Sequence, residues 1–152
     1  MADVSIVDTS VFCNVLNIPK LNDERGLVME QLRDFLEKGT HLLLPMAVVY
    51  ETGNHNIAHI SEGRWRRQCA ELFVEQVKMA IAGETPWTVM QVPTLDEVQL
   101  WLTDFPDSAT QGKGMGDLSI IQEWEKSRRL FPNRRVFIWS LDTHLQGYDS
   151  HP

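Results

Sequence analysis

Ser5-Ile6-Val7-Asp8-Thr9-Ser10-Val11 is the stretch that decides the fold. Its first three residues are a short β-prone run, and an acid follows at once. Residues 11–16 then space their apolar side chains as a helix does, so the chain opens as strand, acid, helix. The same grammar recurs downstream. His41-Leu42-Leu43-Leu44 reads as a second strand, and Pro45 is placed to open a helix carrying Val48, Val49, Thr52 and Ile57. Residues 135–141 read as the last strand, with Asp142 directly after it. Between these, Asn22-Asp23-Glu24 precedes a helix that bears Leu27, Val28, Leu32, Phe35 and Leu36 and is stopped by Gly39. Residues 62–83 are the most periodic helical stretch, and Trp65 fits its apolar stripe. Residues 87–92 form a weak strand, Thr94 caps a short helix, residues 105–116 read as a loop, and residues 117–130 as a helix.

Strands separated by helices cannot pair as hairpins, so the expected architecture is α/β, a central parallel sheet with helices on both faces. With 152 residues the chain is expected to form a single domain, residues 1–152. A hydrophobic share of 43% and a charged share of 23% fit a globular protein and exclude disorder and fibrous repeats. The longest apolar runs, such as residues 42–44 and 47–49, fall far short of the roughly 18 residues a membrane span needs. Met1-Ala2-Asp3-Val4 shows no basic, then apolar, leader, and the two cysteines, Cys13 and Cys69, suit reduced core thiols, so the expected setting is cytoplasmic. Fourteen basic against 21 acidic residues give a net charge of −7, which excludes nucleic-acid binding by bulk positive charge.

In an open α/β sheet, ligands bind outside the carboxyl ends of the strands. Asp8 and Asp142 each follow a strand there. Asp117 follows Gly112, Gly114 and Gly116 and heads a helix, and Glu51 lies about two turns into the helix after the second strand. Singly, each acid is explained as a turn, a cap or a solvated helix residue. Together they need a cation, because two carboxylates about 4 Å apart repel by roughly 4 kcal/mol at an effective dielectric of 20. Hard oxygen ligands point to Mg²⁺ or Mn²⁺.

Val7-Asp8-Thr9-Ser10, the Glu51 of Val48-Val49-Tyr50-Glu51, Gly114-Met115-Gly116-Asp117 and Ser140-Leu141-Asp142 together resemble, in order and spacing, the four acidic motifs of PIN-domain ribonucleases, small bacterial toxin nucleases among them. The resemblance implies a three-layer α/β/α fold and a divalent-metal-dependent endoribonuclease. It makes Asp8, Glu51, Asp117 and Asp142 the metal-binding and catalytic acids, with Asp149 a rival for the fourth place. Thr9, Ser10 and Ser140 become hydroxyls that support the acids or face the substrate. Many small bacterial members are toxins held inactive by an antitoxin, which makes such a protein, a second copy of the chain and RNA the candidate partners.

Glu51, His55 and His59, spaced i, i+4 and i+8, share one helix face, and the two histidines, with His144 as the distant third ligand, offer a competing zinc reading. Arg64, Arg66 and Arg67 beside Trp65 are candidate RNA contacts, although such runs are more often solvated faces. Trp101, Trp124 and Trp139 read as core or subunit-contact residues. The glycines at 112–116 lack the spacing of a phosphate-binding Walker loop. A phosphatase of the haloacid dehalogenase type, with Asp8 as nucleophile, is the alternative enzyme, but it normally carries a second acid where this chain has Ser10. An inactive PIN-like module that binds RNA or protein is the alternative outside catalysis.

Overall fold

Val4–Val7 form β1, and all four side chains are buried, which requires a neighbour on each edge and cover on each face. The computed structural model describes the backbone of residues 1–152 and every side chain except that of His55. β1 pairs in parallel with β2 (His41–Leu44), which pairs in parallel with β3 (Trp87–Val89). On its other side β1 pairs in parallel with β4 (Val136–Trp139). A two-residue strand, β5 (Asp149–Ser150), adds to β4 in the antiparallel sense, so the sheet order is β3-β2-β1-β4-β5. The chain thus builds outward from β1 in one direction and then returns to its other side. That reversal puts a crevice beyond the carboxyl ends of β1 and β4.

The sheet is mixed, where the sequence predicts a parallel one. The difference is β5 alone. Only nine residues, 140–148, separate the end of β4 from Asp149, too few for the crossover a parallel partner needs but enough for an antiparallel return. Arg135 holds the return in place, with Nε 3.0 Å from Asp149 Oδ1 and Nη2 2.8 Å from Oδ2.

Six α-helices connect and cover the strands: α1 (Thr9–Val15), α2 (Arg25–Glu37), α3 (Met46–Glu51), α4 (Gly63–Ile81), α5 (Leu95–Thr110) and α6 (Met115–Leu130). Phe137 and Trp139 share one face of β4 by the two-residue period of a strand. Phe35 of α2 packs on both, at ring-centroid distances of 5.4 and 4.9 Å. Trp124 of α6 donates its indole N–H to the Val136 carbonyl at 2.9 Å. Trp101, Trp124 and Trp139 are all buried, as the sequence predicts. Among the described residues no helix is long and apolar enough to cross a membrane.

Three helices depart from the sequence reading. The helix after Pro45 is α-helical only to Glu51 and continues as a π-helix over Thr52–Ile57. The short helix capped by Thr94 runs to Thr110 and absorbs much of the expected loop, Pro106 included. A capping box between Thr94 and Glu97 starts it, and the buried Trp101 and Ser108 hold it against the core on both sides of the proline. Asn22-Asp23-Glu24 provides no side-chain cap to α2: Glu24 takes the cap position without such a bond, and the Asn22 amide turns to Asn17 instead.

Candidate functional site

The end of β1 delivers Asp8 straight into the crevice between β1 and β4. Its backbone N–H continues the parallel ladder by donating to the Trp139 carbonyl at 3.0 Å. Its side chain caps α1 and is 6% exposed. Two hydroxyls converge on one oxygen of this carboxylate: Ser10 Oγ donates to Oδ2 at 2.7 Å and Ser140 Oγ at 2.8 Å. The same hydroxyls accept from the backbone, Ser10 Oγ from Leu141 N–H across the crevice at 3.0 Å and Ser140 Oγ from the nearby Asp142 N–H at 2.9 Å. The ends of β1 and β4 are therefore laced together through Asp8, which fixes its rotamer and leaves Oδ1 for a ligand.

Thr9, also buried, donates to Glu51 Oε2 at 2.9 Å and so brings the last residue of α3 to the same cleft. Glu51 in turn lies against the first turn of α6, where a methyl group added at Gly116 would stand 3.6 Å from Oε2. Asp117 follows in that turn, where helix N–H groups favour a negative side chain. Asp142 turns at the end of β4, its Oδ1 accepting from the His144 N–H at 2.9 Å. Asp8, Glu51, Asp117 and Asp142 all line one cleft of about 330 Å³.

The electrostatics agree with that convergence. Burial, then the negative charge of Asp142, then that of Asp8 raise the Asp117 carboxyl above its ordinary value of 3.8, against weaker opposing effects of His144 and Lys113. A carboxyl raised in this way favours the folded state below 3.8 and loses that contribution as pH rises through the folded value. At neutral pH the ionised Asp117 is thus a cost to folding. Asp117→Asn is accordingly expected to raise the melting temperature at pH 7 and to leave it little changed at pH 3; about 1 kcal/mol corresponds to roughly 2–4 °C in a chain of this size. Scanning calorimetry at both pH values checks this, and a lower melting temperature at pH 7 contradicts it.

Among the described residues, no three histidine, cysteine, aspartate or glutamate side chains stand close enough to form a ready-made metal cage. The donor set nevertheless fits a divalent cation of the Mg²⁺ type. Such an ion keeps most of its waters and takes only one or two carboxylates directly, and a carboxylate disfavoured by burial and by neighbouring acids, as Asp117 is, is a group it would relieve. The zinc reading fares differently. The i, i+4, i+8 alignment assumes one continuous α-helix, but the chain turns more widely over Thr52–Ile57 and leaves the helix before His59, which lines a neighbouring cleft. The side chain of His55 lies outside the described residues.

Asp149, the rival to Asp142, does not line the acidic cleft. It sits opposite Phe137 on β5, paired with Arg135, whose guanidinium holds its carboxyl below the usual range. Thr9 and Ser140 are both buried, Thr9 on the wall of the cleft and Ser140 behind it, and each donates a hydrogen bond to one of the acids. Arg64, Arg66 and Arg67 lie in the first turns of α4, outside the acidic cleft. Trp65 departs from its expected place in the apolar stripe, being 54% exposed.

The cleft also contains residues that the acidic motifs do not mark: Cys13, Asn14, Lys20 and Asn56. Asn14 was legible as a polar residue after the apolar Val11-Phe12-Cys13. Its amide donates to the Ser10 carbonyl at 2.8 Å and its oxygen accepts from the Glu24 N–H at 3.1 Å, tying α1 to the start of α2. Asn56, carried by the π-helical turn, donates to Cys13 Sγ at 3.2 Å. Burial pushes the Cys13 thiol up to about 11, outweighing that bond, and burial raises Cys69 as well. At pH 8 a thiol of this kind is about one part in a thousand thiolate. Iodoacetamide at pH 8 is therefore expected to leave Cys13 unlabelled by mass spectrometry in the native protein and to label it fully in denaturant; rapid native labelling contradicts the assignment.

Comparison with protein-family models, curated proteins and solved structures finds no match, so the function has to be read from the geometry.

Proposed function

We propose that this chain is a divalent-metal-dependent endoribonuclease with a PIN-like three-layer fold. The observation that carries the reading is the meeting of Asp8, Glu51, Asp117 and Asp142 on one cleft at the point where the strand order reverses. Mg²⁺ or Mn²⁺ bound among these acids would offset their charge and that of a phosphodiester and make water a competent nucleophile. Asp8, held by Ser10 and Ser140 through Oδ2, would help hold that ion, and Glu51 is oriented by Thr9. Asp117 and Asp142 close the set from α6 and from the turn after β4. Lys20, on the cleft wall, is a cation positioned for a substrate phosphate.

Such a site needs no side-chain nucleophile. Asp8 is also poorly suited to be one, since one of its oxygens is engaged by two hydroxyls and the residue two positions on, Ser10, is no acid or base. The resemblance that motivates the reading further makes an antitoxin protein and a second copy of the chain candidate partners, and two cysteines suited to reduced core thiols point to the cytoplasm.

Because water and not the ribose 2′-hydroxyl attacks, the products are expected to carry a phosphate on one side of the break and an unmodified hydroxyl on the other. Mass spectrometry of a cleaved oligonucleotide checks this. A 2′,3′-cyclic phosphate contradicts the mechanism, and turnover of a small phosphomonoester by a covalent aspartyl-phosphate would replace it with the phosphatase reading.

A further inference from the structure

Three clefts lie side by side and share walls. The acidic cleft shares Lys20, Leu21 and Asn56 with a second, of about 230 Å³, that reaches to His59 and Ile60. The second shares Pro19 with a third, of about 460 Å³, at the start of α4. Residues 17–22 contribute to all three. Asn17 and Lys20 in that segment adopt left-handed backbone conformations, φ 57° and 69°, that non-glycine residues adopt rarely.

The third cleft differs in chemistry from the first. Leu16, Cys69 and Leu72 give it an apolar floor, and Trp65 presents an indole that is 54% exposed. Around this surface stand the amides of Asn17, Asn22 and Gln68. Asn22 Nδ2 donates to Asn17 Oδ1 at 2.9 Å, which leaves the Asn17 amide nitrogen and the Asn22 carbonyl oxygen as a neighbouring donor and acceptor. A flat aromatic face with a donor and an acceptor beside it is what an unpaired nucleobase requires.

Cations flank the row in a chain whose net charge is −7. Lys20 stands between the first two clefts. Arg66 Nη1 donates to the Ile60 carbonyl at 3.1 Å, which holds its guanidinium at the second cleft's rim, and Arg64 is exposed beside Trp65. Arg67 instead pairs with Glu71 at 2.9 Å and lines a different surface. The three arginines therefore do not act as one patch.

We propose that the third cleft is a nucleobase subsite: one unpaired base of a single-stranded RNA stacks on Trp65 with its edge against Asn17, Asn22 and Gln68, while the backbone passes Arg66 and Lys20 to the acids. Its link to cleavage rests on the nuclease reading, but the binding does not. A base within a duplex has no free face for Trp65, so the subsite selects single strands and imposes a base preference at one position away from the break.

The test is fluorescence anisotropy with a labelled, unstructured RNA of roughly 12 nucleotides, a usual length for single-strand binders. The full chain carries Asp8→Asn so that nothing is cut. Adding Trp65→Ala is expected to weaken binding about tenfold or more, the range of one lost base stack, whereas Trp65→Phe keeps most of the affinity. Annealing the complementary strand should abolish the difference between Trp65 and its alanine variant. Equal affinity of the two proteins for the single strand, or no binding by either, overturns the subsite. So does a concentration-dependent dimer in light scattering that Trp65→Ala dissociates, since the face would then belong to self-association. Cleavage by the chain with Asp8 intact is scored separately: cleavage without a Trp65 effect rejects the subsite alone, and Trp65-dependent binding without cleavage rejects the nuclease reading alone.

Discussion

Asp8→Asn is expected to abolish divalent-ion-dependent RNA cleavage while the protein remains folded. Asp8 is the one acid of the cleft that both strand ends hold, through Ser10 and Ser140, and the substitution exchanges an anionic oxygen for an amide nitrogen or a neutral carbonyl without changing shape. If the amide nitrogen occupies the Oδ2 position, the two hydroxyls lose their acceptor. If it occupies Oδ1, the cation meets a donor. Either way the site loses the charge an Mg²⁺-type ion selects. Loss of one directly coordinating group of this kind is expected to cost at least about 100-fold in rate, beyond the 10–100-fold usual for residues that only orient a ligand. Ser140→Ala, which leaves the charge but removes one orienting hydroxyl, belongs in the smaller range. Initial rates for both variants on one RNA, with circular dichroism as the folding control, check the order. An Asp8→Asn protein within tenfold of the parent rate contradicts the assignment of Asp8.

Phe12→Ala has the largest expected effect on stability. Phe12 follows the first turn of α1, is fully buried, and meets Trp87 edge to face at a centroid distance of 5.9 Å, so it joins the helix after β1 to the edge strand β3. Truncating a buried phenylalanine costs about 3–5 kcal/mol, from lost transfer energy and the cavity left behind. At roughly 2–4 °C per kcal/mol for this chain length, the melting temperature should fall by about 6–20 °C. A denaturant midpoint measured alongside should fall with its slope unchanged. A loss below about 1 kcal/mol would show that Phe12 does not carry the contact between α1 and β3.

The parts of this molecule that were legible in its sequence are those where a short apolar run ends in an acid. β1 with Asp8 is of this kind, and β4 with Asp142 nearly so, three residues past Trp139; α6 is legible instead from its glycine-led start, which sets Asp117 in its first turn. In each, local pattern and tertiary role agree. What escaped reading depends on partners distant in sequence. Pro106 ends a helix by local rules, yet α5 passes through it because Trp101 and Ser108 are buried on either side. The π-helical turn at Thr52–Ile57 has no hydrophobic period of its own, and it carries Asn56 to Cys13, 43 residues away. β5 is two residues long and exists through the fork of Arg135 on Asp149. Trp65 matches the period of α4, but that helix buries only Cys69 and Ala80, leaving the indole at a surface that periodicity alone cannot distinguish from core.

The acidic cleft, in turn, could be anticipated by its charges but not by its walls. Segment 17–24 carries little pattern, yet Lys20, Leu21, Asp23 and Glu24 from it line the same cavity as the four acids. Its shape follows from two left-handed residues and from Asn14, which holds the Glu24 N–H.

Cleavage of an end-labelled, mixed-sequence RNA by the purified chain, measured with Mn²⁺, with Mg²⁺ and with a chelator, tests the central claim most directly. Cleavage is expected with either ion, with none in chelator and recovery when the ion is restored in excess. Cleavage that persists in chelator, or a folded protein inert with both ions, would contradict it.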